Sequence, residues 1–162
     1  MTSHQHLIHR SASAQKVIEQ AICHSFEQMA FHAYLGLKVK KCCSKEAQIE
    51  VAMRPELIGT AVHERLHGGV IATILDAAGG FAICNALVEK FCDETLEQLA
   101  ARFARVGTVD MRVDYLRQGV GKLFTASGKI IRLGGRIATT QMTLENEDGD
   151  MIASGTASYV VS

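Results

Sequence analysis

Between Gly68 and Val88 the chain carries no proline, lysine or arginine, and its only charge is the carboxylate of Asp76. A stretch this long and apolar is a helix that has to be buried on most sides. Gly68 and Gly69 open it, and the backbone N–H groups they leave at a helix N-terminus can receive a carbonyl oxygen or an anion. Asp76 has no cation within reach on its own helix, because the positions three and four away are Ala72, Thr73, Gly79 and Gly80. Burying a carboxylate there is costly and asks for a chemical reason; the alternative is a solvated stripe on the helix surface. The segment also has the length of a membrane span. A charge near its centre costs about 3 kcal/mol on insertion, and Asn85 and four glycines weaken the case further. A core helix is the expectation, with no membrane partner.

The chain of 162 residues fits one domain with a substantial core, and 48% apolar residues with a mean hydropathy of +0.10 argue against disorder. Seventeen basic residues balance seventeen acidic ones, so no overall field draws nucleic acid or an anionic membrane. The cysteines, at 23, 42, 43, 84 and 92, are odd in number and match neither a disulfide framework nor paired C-x-x-C zinc ligands. Reduced thiols and a cytoplasmic location follow as the simpler expectation. Met1 to Gln15 has scattered His and Ser but no apolar core of a secretory leader, so none is expected.

Apolar residues recur at helical spacing from Ser13 to about Ala33, with Ser11 or Ser13 as cap. An extended stretch begins at Leu35-Gly36-Leu37. Ala47, Ile49, Val51 and Met53 alternate with Gln48, Glu50 and Ala52, and Pro55 ends that strand and opens a loop to about Leu66. After the central helix, residues 89–106 read as a second amphipathic helix. Strands follow: Val109, Met111, Val113 and Tyr115 alternate with Thr108, Asp110, Arg112 and Asp114. Leu123–Leu133 and Ile137–Glu145 are joined at Gly134-Gly135, and a turn at Asp148-Gly149 leads to a last strand over Met151–Val161. This order predicts an α+β domain, one curved antiparallel sheet against a long helix. Residues 1–34 form an N-terminal extension and helix, and 35–162 the main domain. Exposed strand edges predict self-association.

His67-Gly68-Gly69 followed by Asp76, the strand Thr108-Val109-Asp110-Met111-Arg112-Val113-Asp114-Tyr115-Leu116-Arg117, the turn Arg132-Leu133-Gly134-Gly135-Arg136 and the closing Asn146-Glu147-Asp148-Gly149-Asp150 together resemble the hotdog-fold acyl-CoA thioesterases, in the branch of the phenylacetate-pathway enzymes. The likeness covers about residues 35–161. It implies a sheet wrapped around the central helix, acyl-CoA as substrate, no cofactor, and active sites at the interface of a homodimer that pairs again into a dimer of dimers. The catalytic set it implies is Asp76 as general base or nucleophile, the Gly68 N–H as oxyanion donor, Thr108 orienting water or carboxylate, and His67 fixing the loop. Gly69, Tyr115 and Arg117 are implied substrate contacts, and Arg132, Gly134, Gly135 and Arg136 implied contacts of the coenzyme A phosphates. Relatives in this branch often carry an Asn a few residues before the His-Gly-Gly; here Thr60 and His63 stand in that stretch as its candidate replacements.

Helix geometry adds a constraint of its own. His67 and Asp76 are nine residues apart, about 900° of rotation and roughly 13 Å of rise, so they face opposite ways. If the glycine N–H groups and Asp76 serve one site, they come from two subunits. Two other readings compete. Some hotdog domains bind acyl-CoA without turning it over. His63-Glu64-Arg65-Leu66-His67 also spells the H-E-x-x-H zinc signature, but the flanking glycines and Pro55 oppose the continuous helix that such a site needs, so no metal is expected.

Overall fold

The computed structural model describes residues 10–60 and 62–162. Residues 1–9, where the reading of the leader partly falls, and Ala61 lie outside the described residues.

Helix α1 spans Ala12–Gln28 and is capped by Ser11, whose Oγ accepts the Ala14 N–H at 3.2 Å. Its Ile18, Ile22 and Phe26 form one buried stripe. The single helix expected to about Ala33 is instead broken at Met29, where ψ turns to 129°, and a short α2, Ala30–Leu35, follows. The His32 ring sits against Phe26 and its Nδ1–H donates to the Phe26 carbonyl oxygen at 2.8 Å, satisfying the end of α1 and holding the reversal. Gly36 ends α2 at φ 74°, a left-handed cap that suits glycine. Strand β1, Lys38–Lys41, and strand β2, Glu46–Ala52, come next, and a 3-10 turn begins at Pro55. The region expected as loop holds a small ribbon, β3 (Ile58–Thr60) with β4 (Arg65–Leu66).

Helix α3 covers Gly68–Lys90, and Ile74, Leu75, Ala78, Phe81, Ala82 and Ile83 on it are buried. It is long and apolar enough to cross a membrane by composition, yet it is the core helix of this domain, with 61% of its most apolar stretch buried inside the fold. The second helix is shorter than the 89–106 expected: α4 covers Leu96–Phe103. Thr95 and Gln98 form a capping box that starts it there, and a turn at Phe91–Glu94 separates it from α3. Strands β5 (Gly107–Tyr115), β6 (Leu123–Leu133), β7 (Ile137–Asn146) and β8 (Met151–Val160) complete an antiparallel sheet ordered β1-β2-β6-β7-β8-β5. Asn146 Oδ1 accepts the N–H groups of Asp148 and Asp150, shaping the turn into β8. The sheet packs on α3 most closely at Gly128, where a Cβ would collide with the Ala78 carbonyl. β5 is an edge strand, so one of its hydrogen-bonding edges has no partner within the sheet.

Candidate active site

Asp76 lies on α3, half-buried, facing the β5 end of the sheet. The Thr108 hydroxyl donates to its Oδ1 at 2.9 Å and the Tyr159 hydroxyl to the same oxygen at 3.0 Å; Tyr159 also reaches the Asp76 carbonyl oxygen, at 3.1 Å. Two hydroxyls on Oδ1 leave Oδ2 as the oxygen free to act, and among the described residues no cation pairs with the carboxylate. The two donors are direct register partners on β5 and β8.

Simple alternation from Met111 would send Thr108 to the outer face with Asp110. The register shifts between Thr108 and Asp110, and the extra residue, Val109, turns outward at 62% exposure. That bulge brings Thr108 round to the carboxylate. Tyr159 is 2% exposed, and burial first, then the Asp76 charge, pushes its phenol ionisation up. It therefore stays a donor. Sequence reasoning passed over it. The available signal was Gly79, one turn beyond Asp76: a Cβ there would strike the Tyr159 hydroxyl and Thr140 Oγ1.

A second group gathers at the other end of β5. His67 caps α3, its Nδ1 accepting the Gly69 N–H at 2.9 Å. An imidazole accepting at Nδ1 carries its proton on Nε2. Gly69 is thus occupied, and of the glycine pair Gly68 offers the N–H that no side chain takes among the described residues. The Tyr115 hydroxyl donates to the Gly68 carbonyl at 2.9 Å. Thr60, His67, Gly68, Tyr115 and Arg117 line one open cleft of about 570 Å³, and Arg117 also pairs with Asp150 at 3.6 Å. Within one chain this cleft and Asp76 are separate, since Thr108 and Tyr115 stand roughly 20 Å apart along the strand.

His63 is exposed in a turn with Glu64, whose φ is 42°, and lies outside that cleft. The H-E-x-x-H letters thus run through a turn, β4 and a helix cap. Its two histidines do not share the helical face that a zincin requires. Arg132 and Arg136 are exposed at the β6–β7 turn, closed by Gly134 N–H donating to the Ile137 carbonyl at 3.0 Å, with Gly135 open to solvent. The turn joins neither the Asp76 group nor the Gly68 cleft. It does lie at the Asp76 end of the sheet, because Ala138 pairs with Tyr159 on one side and Leu133 on the other.

From Asp76 an apolar cleft of about 580 Å³ runs between α1, α3 and α4. Cys84 lines it, and desolvation pushes the thiol up to about 12, so it remains a neutral packing group.

An antiparallel sheet curved around one long helix is the hotdog arrangement, and the chain belongs to the Thioesterase superfamily, whose sequence pattern matches residues 63–153. Two curated relatives carry a more specific description. The medium/long-chain acyl-CoA thioesterase YigI of Salmonella typhimurium is 38% identical over 133 residues, 82% of this chain and 86% of that one. Its Escherichia coli counterpart is 37% identical over the same shares. A crystal structure from Shewanella oneidensis, described as related to the thioesterase superfamily, matches with a TM-score of 0.87 and 42% identity, covering 94% of this chain and all of that one.

Proposed function

We propose that this chain hydrolyses medium- or long-chain acyl-CoA in the cytoplasm, at a site shared by two subunits. The observation that carries the reading is the Asp76 carboxylate held on one oxygen by Thr108 and Tyr159 at the mouth of an apolar cleft. The names of the two YigI relatives supply the substrate class, and five unpaired thiols suit a reducing compartment.

The chemistry follows from the free oxygen. Asp76 Oδ2 takes a proton from water as the water oxygen bonds to the thioester carbon. Negative charge moves to the carbonyl oxygen, where the Gly68 N–H of the partner subunit, at a helix N-terminus, receives it. The C–S bond then breaks, and the proton passes from Asp76 to the leaving thiolate, giving free acid and coenzyme A. Direct attack by Oδ2 would give the same products through an anhydride.

The edge strand supports the dimer. Antiparallel overlap of all nine residues of β5 with a second copy centres on Met111 and sets Asp110 against the partner subunit's Arg112. It also brings the Tyr115 end of one chain, with its Gly68, beside the Thr108 end of the other. Arg132 and Arg136, at that same end of the sheet, suit the phosphates of the coenzyme. Thr60, His63 and Arg117 are the remaining proposed polar contacts. Pairing of dimers into a tetramer belongs to the same proposal.

Thiol release from a panel of acyl-CoAs, with a chelator present, tests the reading. Wild type is expected to turn over, and Tyr159→Phe to lower kcat roughly tenfold with KM within about twofold, the cost of one hydrogen bond to a charged group. Failure of the wild type on every acyl-CoA would overturn it.

A further inference from the structure

We propose that the cleft between α1 and α4 measures the acyl chain, with Ala100 as the small residue that leaves it open past its midpoint; this rests on the thioesterase reading of Asp76. On α3, Asp76, Gly80 and Cys84 succeed one another along one face of the helix and all line the cleft. Eight residues of helix make it about 12 Å deep from the carboxylate. Helix α4 runs back along it: Phe103 stands toward Thr108, Leu96 toward the far end, and Ala100 midway. Ile22 and Phe26 of α1 form the opposing wall, with Phe26 braced on Phe81 at 4.4 Å between ring centres.

The apolar stripe of α4 is wider than the core it meets. Leu99 is fully buried, whereas Leu96 is 43% exposed and Ala100 is exposed, although both lie on the same stripe. Met29, at the kink between α1 and α2, lines the cleft and is 55% exposed. Among the described residues these side chains are left partly in solvent, and the groove they line reaches the Asp76–Thr108–Tyr159 group. An unbranched acyl chain whose thioester lies at Asp76 fills that groove and removes this surface from water. Each methylene so buried raises kcat/KM about fourfold, until the chain outgrows the cleft.

Because Ala100 is exposed, a larger side chain there meets open cleft and not core. The test is kcat/KM over straight-chain substrates from butyryl- to palmitoyl-CoA, for wild type and Ala100→Leu. It is paired with binding of non-hydrolysable S-alkyl-coenzyme A thioethers of the same lengths. Ala100→Leu should move the optimum to shorter chains, cutting palmitoyl-CoA turnover tenfold or more. Butyryl-CoA turnover should stay within about threefold, and thioether affinities should shift in parallel. An unchanged optimum with active enzyme would overturn the cleft assignment and leave the thioesterase reading standing. A shift in thioether binding without hydrolysis by wild type would overturn the thioesterase reading and support the cleft.

Discussion

Asp76→Asn is expected to lower kcat for acyl-CoA hydrolysis by about 10³-fold, the scale of a lost general base, with KM nearly unchanged. The amide is isosteric, and its oxygen can still accept from Thr108 and Tyr159, the donors that now reach Oδ1 at 2.9 and 3.0 Å. Tyr159 also keeps its bond to the residue 76 carbonyl oxygen. The substitution therefore removes basicity and leaves the hydrogen-bond framework in place. Steady-state kinetics with a thermal melt checks it: the rate should collapse while the melting temperature stays within a few degrees. Near-normal kcat would show that Asp76 does not act on the thioester.

Gly128→Ala is expected to be the most damaging small substitution for stability. Gly128 lies mid-strand on β6, and its missing side chain is what lets α3 approach the sheet at Ala78 and Gly79. A Cβ there meets the carbonyl oxygen and carbon of Ala78, which are backbone atoms of a helix and cannot rotate aside as a side chain would. Relief requires moving α3 off the sheet. A cost of about 3 kcal/mol, or roughly 10 °C in Tm, is expected. Gly79→Ala makes a useful contrast, because the atoms its Cβ meets are the ends of Tyr159, Thr140 and Met142. It should act on the position of the Tyr159 hydroxyl and so on kcat more than on stability. Thermal melts of both variants beside wild type separate the two, and an unshifted melt for Gly128→Ala would contradict the close packing.

The central helix and the antiparallel strands were legible because each carries a clean period: 3.6 through Ile71, Ile74, Leu75 and Ala78, and two through Ala47, Ile49 and Val51. Where the period breaks, pattern reading went astray. Val109 looks like an inward strand residue, and the bulge turns it outward and Thr108 inward. Alternation alone could not reveal that slip. The break at Met29 was hidden because apolar residues continue past it at helical spacing, while the contact that secures it joins His32 to Phe26 across the bend. Helix α4 was overdrawn although its start was written as Thr95-x-x-Gln98. Asp76 stood out as a lone charge in an apolar run, but Tyr159, 83 residues away, meets it only through the sheet register. The opposed directions of His67 and Asp76 were legible from helix rise and rotation alone, and the structure places them in separate clefts.

Two inactive variants, mixed, test the proposed shared site most directly. Gly68→Pro deletes the proposed oxyanion N–H at the first helical position, where proline is tolerated, and the preceding His67 at ψ 138° already has the extended backbone that proline asks of its neighbour. Asp76→Asn deletes the proposed base. After subunit exchange in equal amounts, half the dimers are mixed and each holds one intact site, so thiol release from acyl-CoA should recover to about a quarter of wild type. Exchange confirmed with no recovery would contradict a site built from the Gly68 of one subunit and the Asp76 of the other.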